Sequence, residues 1–135
     1  MSAPGGTLSP ARNGGGDMGR RRWRDYRTET GARPIRDFME DLTDEESADL
    51  TEAMNEVIDQ GLVAARHLRG DIFEIRAGGR TRNFRLLFAP EGRRQQVLLS
   101  LSMFTKKTQR TPRRELELAE RRLWDWRARA RHKVH

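Results

Sequence analysis

The feature that most restricts this chain is a change of hydrophobic period at Gly61. Before it, apolar residues recur at helical spacing; after it, they alternate in short runs separated by glycine-containing turns. Upstream, Pro34 at an early helical position precedes Ile35, Phe38, Met39 and Leu42, which fall at i, i+3, i+4 and i+7 on one face. A second helix opens with the capping-box pattern Thr43-Asp-Glu-Glu46, aligns Leu50, Ala53, Met54, Val57 and Ile58, and stops at Gly61. The pair reads as an antiparallel αα-hairpin. Downstream, strands are predicted over Asp71–Arg76, Asn83–Ala89 and Gln96–Phe104, with turns at Ala77–Arg80 and Pro90–Arg93. A short first strand is expected from Arg22 to Thr28. A last helix is expected from Thr111 as N-cap and Pro112 at the first helical position, burying Leu116, Ala119, Leu123 and Trp126. The expected class is α+β: an N-terminal strand, an αα-hairpin, a three-stranded antiparallel meander and a C-terminal helix.

A chain of 135 residues supports one core. Residues 1–20 hold glycine and proline with almost no apolar residue, so a disordered tail is expected there, followed by a single domain over 21–131; Met18 is an alternative start. The absence of cysteine removes disulfides and thiolate chemistry together, and no apolar run approaches the roughly 18 residues of a membrane span. A cytoplasmic protein with no membrane association is expected. The net charge of +7 points to a polyanion, and its distribution says where one would dock. Residues 37–60 carry ten acidic side chains and no Lys or Arg, whereas residues 61–114 carry thirteen basic and three acidic ones.

Alternation along the meander sorts side chains between two faces. Phe73 and Ile75, Phe84, Leu86 and Phe88, and Val97, Leu99, Leu101 and Met103 are expected to face the core. Glu74, Arg76, Arg85, Leu87, Leu98, Ser100, Ser102 and Phe104 are then expected on an open face, with Lys106 and Lys107 delivered just beyond it. This gathers cations from three strands and a loop around one concavity.

The only histidines are His67, His132 and His135, so a transition-metal site is not expected, and no cofactor is. Carboxylates that could hold magnesium sit on the αα-hairpin, away from the basic face. What such a face can perform is metal-free phosphoryl chemistry. The RNA 2′-OH can attack its own phosphate if a base takes its proton, cations stabilise the phosphorane, and an acid protonates the leaving 5′-oxygen. Arg76, Arg85, Lys106 and Lys107 suit the electrostatic role, with Arg110, Arg113 and Ser102 as further RNA contacts. Glu74 is either the base or the ion-pair partner that orients Arg76. His67, just before the meander, is a second candidate for proton transfer, and a lysine crowded by cations can exchange protons as well as attract phosphate.

Three segments carry a family resemblance: Leu68-Arg-Gly-Asp-Ile-Phe-Glu-Ile-Arg76, Asn83-Phe-Arg-Leu-Leu-Phe88 and Phe104-Thr-Lys-Lys-Thr-Gln-Arg-Thr-Pro112. In order and spacing, from about Trp23 to Trp126, the chain resembles the RelE/ParE toxin superfamily in its HigB-like, phage-derived branch. The resemblance implies a ribosome-dependent endoribonuclease that cuts translated mRNA, contacts with rRNA, and neutralisation by a helix-turn-helix antitoxin. By position it assigns Arg76, Arg85, Lys106 and Lys107 to substrate binding and catalysis, with Glu74 nearby. Two positions depart from it: Ser102 stands where many relatives have His, and Phe88 where Tyr is common. The same superfamily implies a competing reading, a DNA gyrase inhibitor, and a third, a module that only binds its antitoxin.

Overall fold

The structure, a computed structural model, describes residues 20–107 and 110–134. The expected tail and the alternative start at Met18 lie outside the described residues. Strand β1 (Arg22–Asp25) leads to helices α1 (Pro34–Glu40) and α2 (Asp44–Gln60), a 3₁₀ turn over Gly61–Ala64, strands β2 (Arg66–Arg69), β3 (Ile72–Gly78), β4 (Asn83–Glu91) and β5 (Val97–Thr105), and helix α3 (Arg113–Val134). One five-stranded sheet results, in the order β1-β5-β4-β3-β2. The expected α+β arrangement is what forms, with additions.

The capping box is made in full: the Glu46 N–H donates to Thr43 Oγ1 at 3.1 Å and the Thr43 N–H to Glu46 Oε1 at 3.0 Å. Glu46 also accepts a bidentate pair from Arg82 at 3.0 and 2.8 Å, which ties the start of α2 to the β3–β4 turn. That turn requires glycine at Gly78, where φ is +105° and a Cβ would stand 2.3 Å from the Arg82 carbonyl oxygen.

The meander has a fourth strand that the sequence reading missed. Arg66–Arg69 pairs antiparallel with β3, placing Arg66 opposite Glu74 and His67 opposite Phe73. The segment Arg-His-Leu-Arg is polar because it is an edge strand. At the other edge β1 pairs with β5 in parallel, and it ends at Asp25 instead of running to Thr28. Strand β4 continues to Glu91, so the turn expected at Pro90–Arg93 falls later, with positive φ at Gly92 and Gln95. Pro90 sits inside the strand because β3 has already ended beside it; no ladder bond needs its missing N–H.

Two corrections concern the faces. A register shift between Leu87 and Phe88 pairs Leu87 with Ser102 but Phe88 with Ser100, leaving Leu101 as the extra residue of a β-bulge. Beyond that bulge the alternation of β5 inverts. Ser102 and Phe104 keep their expected face, while Leu98 and Ser100 share the face of Trp23 and Phe88, where the αα-hairpin packs; the Trp23 indole N–H donates to the Met54 carbonyl at 2.9 Å. The bulge carbonyl of Leu101 accepts from Arg122 Nη1 of α3 at 2.7 Å.

The second correction is that the supposedly open face is covered. Helix α3 lies across it, burying Ala119 and Leu123 against the sheet. Both faces are therefore packed, and Glu74, Arg85, Ser100 and Ser102 join the buried set. The helix begins one turn-position later than expected. Pro112 takes the N-cap position, its carbonyl accepting from the Glu115 and Leu116 N–H groups, and the Thr111 hydroxyl donates to Glu74 Oε2 at 2.7 Å.

Candidate functional site

The β2–β3–β4 register builds the site. Arg66 stands opposite Glu74, Arg76 opposite Arg85, and Arg85 in turn opposite Phe104 on β5. Paired residues share a face, so Arg66, Glu74, Arg76 and Arg85 converge on the side that α3 covers only in part. Just past β5, the Lys106 N–H donates to the Asn83 carbonyl at 2.7 Å, which fixes the lysine at the rim of the same patch.

Within it, Glu74 and Arg85 are buried while Arg66 and Arg76 are exposed and Lys106 is half-buried. Arg85 Nε lies 3.8 Å from Glu74 Oε1, an ion pair without a hydrogen bond. Among the described residues, its Nη1 donates to the neighbouring Phe84 carbonyl at 3.3 Å and the buried Nε has no acceptor. Glu74 is steadied from its other oxygen by Thr111. Four cations thus surround one carboxylate, and the local charge is not balanced.

The proton affinities register this. Burial holds the Arg85 guanidinium below its ordinary pKa, and Arg76 and Arg66 push the same way against the pull of Glu74. Lys106 is also lowered, first by burial, then by Arg85, with Arg76 and Arg66 adding to it and Glu74 opposing. A crowded ammonium of this kind loses its proton more readily than a solvated lysine does.

Apart from Lys107, which follows Lys106 directly in the chain, the remaining predicted site residues separate. His67 is exposed and points to the opposite sheet face: its Nε2 is 2.8 Å from the Gly70 carbonyl oxygen and its ring is 4.9 Å from that of Phe73. The structure does not bring it to the cluster. Ser102 is buried, with its hydroxyl donating to Glu115 Oε1 at 2.7 Å. Phe88 is fully buried against Trp23 and Phe73. Lys107 and Arg110 are exposed on the segment between β5 and α3, and Arg113 is exposed and paired with Glu117 at 3.0 Å. Arg66 is the member that sequence reasoning missed. Recognising Arg66–Arg69 as a strand would have found it, since alternation then puts Arg66 on the face of Glu74.

Among the described residues, no group of three or more His, Asp or Glu is placed to hold a metal ion, and no helix is long and apolar enough to cross a membrane. Residues 37–124 match the family model of the phage-derived protein Gp49-like. The chain belongs to this Gp49-like family. The family is related to toxins of the RelE/HigB type. No curated protein matches the chain. The matched span of this Gp49-like protein contains Arg66, Glu74, Arg76, Arg85, Lys106 and the α3 residues that close over them.

Proposed function

We propose that this Gp49-like protein is the toxin of a toxin–antitoxin pair and acts as a metal-free endoribonuclease on translated mRNA at the ribosome. One observation carries the reading: Arg85 is buried beside Glu74 with an Nε that has no hydrogen-bond acceptor among the described residues, and Arg66, Arg76 and Lys106 crowd the same carboxylate, so the described cluster holds four cations to one anion. Such a patch favours a compact anion, and a guanidinium with free N–H groups suits the oxygens of a phosphodiester.

In this reading the arginines hold the scissile phosphate and stabilise the charge that grows on its oxygens. Lys106, with its lowered proton affinity, takes the 2′-OH proton in its neutral form. The 2′-oxygen then bonds to phosphorus, the bond to the 5′-oxygen breaks, and the ammonium of Lys107 supplies that oxygen with a proton. The products are a 2′,3′-cyclic phosphate and a 5′-hydroxyl. Glu74 positions Arg85 and does not act as base, since one oxygen accepts from Thr111, the other faces the Arg85 guanidinium at 3.8 Å, and it lies buried.

A non-cleaving reading, in which the basic face docks on a protein such as DNA gyrase or meets only the helix-turn-helix antitoxin, is favoured by a different observation. Ser102 and Phe88, at positions where relatives carry His and Tyr, are buried and engaged elsewhere, so neither presents an acid or base.

Inducing the chain in a bacterial host and mapping mRNA 5′ ends separates the two. Codon-phased cuts that disappear in Lys106→Ala/Lys107→Ala support cleavage. Growth arrest with intact mRNA and trapped gyrase overturns it.

A further inference from the structure

A second cationic site lies at the opposite edge of the sheet, where β1 meets the last turns of α3. Arg24, Asp25, Arg27, Arg33, Trp126 and Arg129 line a cavity of about 430 Å³ there. Its charges are arranged so that two arginines are left over. Arg33 occupies both oxygens of Asp25, and Arg129 is paired to Asp125 at 2.8 Å while also donating to the Arg27 carbonyl. Among the described residues, no carboxylate lies within salt-bridge distance of Arg24 or Arg27, and both are exposed. Arg24 stacks on Trp126 with its guanidinium carbon 5.0 Å from the ring centroid. Stacking holds the fork flat while leaving its edge N–H groups free to donate.

We infer that this pocket is a second phosphate-binding subsite for single-stranded nucleic acid, with Arg24 and Arg27 as the phosphate donors and Arg33 and Trp126 as positioning residues. The inference rests on the reading that the β2–β3–β4 cluster takes a phosphodiester of the same strand. Trp126 stands about 16 Å further along the α3 axis than Glu115, the residue that reaches Ser102 near the cluster, taking 1.5 Å per residue. Arg114, paired to Glu115 at 4.0 Å, and Arg121, seven residues on, are both exposed and add positive charge to the solvent side of α3 over that interval. A planar guanidinium on an aromatic face also offers a platform for a base, which a site for acidic polypeptide would not need.

The test uses the full chain, a fluorescent 2′-O-methylated dodecaribonucleotide that cannot be cleaved, and a labelled dinucleotide too short to span both sites. Arg24→Gln/Arg27→Gln is expected to weaken dodecamer binding about tenfold and to flatten its salt dependence by about 1.4 log units per decade, two single-strand phosphate contacts. Dinucleotide binding is expected to stay unchanged. The exposed pair Arg36→Gln/Arg93→Gln controls for the loss of two charges, and Arg27→Gln alone carries the test, against Arg36→Gln, if loss of the Arg24 stack shifts the unfolding midpoint. An all-deoxy dodecamer loses the same factor, because phosphates and not sugars are read. Unchanged dodecamer affinity overturns the inference, as does a loss confined to RNA or a loss seen only toward poly-glutamate. Lys106→Ala separates the two readings: if it weakens both ligands while Arg24→Gln/Arg27→Gln weakens neither, only the subsite fails. If the arginine pair matters and Lys106 does not, the subsite stands and the cleavage site fails.

Discussion

Glu74 and Arg85 expose 1% and 9% of their side chains at a separation of 3.8 Å, which makes their coupling a measurable quantity. At an effective dielectric constant of about 20, two unit charges at that distance attract by about 4 kcal/mol. The pair lacks the bidentate hydrogen bonds that strengthen the best guanidinium–carboxylate contacts, so a coupling of about 2–3 kcal/mol is the reasoned value. Glu74→Gln keeps an acceptor for Thr111 but leaves Arg85 buried with Arg76 directly across the ladder, an uncompensated charge expected to cost about 3 kcal/mol. Arg85→Met leaves Glu74 with Thr111 and the exposed Arg66, which offset part of the loss, so about 2 kcal/mol is expected. The double variant removes both charges and should cost less than the sum of the singles by the coupling energy. Urea unfolding of the four proteins measures this, with a constant m-value as the sign that the folded and unfolded ensembles are otherwise alike. A coupling below about 0.5 kcal/mol would refute the reasoning, because the two charges would then behave as solvated and independent.

Thr43→Ala removes the N-cap of α2 and is expected to cost about 1 kcal/mol, read as a drop of several degrees in thermal unfolding. Glu46 is held down to about 2, first by Arg82 and then by the Thr43 N–H, so its stabilisation is complete above the ordinary glutamate range and is lost as pH falls toward 2; Glu46→Gln should flatten stability across that acid window, and parallel curves for the two proteins would contradict this. Arg122→Met deletes both the donor to the bulge carbonyl of Leu101 and the cation 5.5 Å from the Tyr26 ring, an expected loss of about 2 kcal/mol, against less than about 0.5 kcal/mol for the exposed Arg121→Met, both by urea unfolding. In the cleavage reaction, the rising limb of the pH–rate profile should lie below that of an ordinary lysine, and Arg85→Met should move it to higher pH by removing a neighbouring positive charge; an unmoved limb would exclude Lys106 as the base.

What the sequence made legible was whatever depends on local chemistry. The capping box, the paired helical stripes and the alternating cores of β3 and β4 follow from residues within a few positions of one another, and they formed as read. What stayed hidden depends on partners far along the chain. Arg66–Arg69 carries no strand signal of its own and becomes a strand because β3 offers it a ladder. The bulge at Leu101 leaves no mark in Val97–Phe104, where apolar residues occupy both parities, yet it inverts the faces of Leu98 and Ser100. The covered second face was missed for a related reason. Glu74, Arg85 and Ser102 look like solvent-facing residues until Thr111, Glu115 and Arg122 arrive from the segment that follows the sheet.

That same covering explains how a polar cluster can be held firmly enough to do chemistry. Open on a sheet face, Arg76 and Arg85 would repel across the ladder and each would fold back toward water. Roofed by the start of α3, Arg85 is fixed by its burial and by Glu74, and Glu74 is fixed by Thr111, so the geometry is set before any ligand arrives. The arrangement carries a cost, an Nε donor removed from water and given no acceptor among the described residues. A bound phosphate would supply the negative charge that Arg66, Arg76, Arg85 and Lys106 lack among the described residues. A cluster built only for stability would have used a second carboxylate at Arg76, where cross-strand pairing with Arg85 would have favoured it. Keeping arginine there weakens the fold and strengthens the affinity for an anion, and that trade is the physical argument for a phosphodiester site at this place in the sheet.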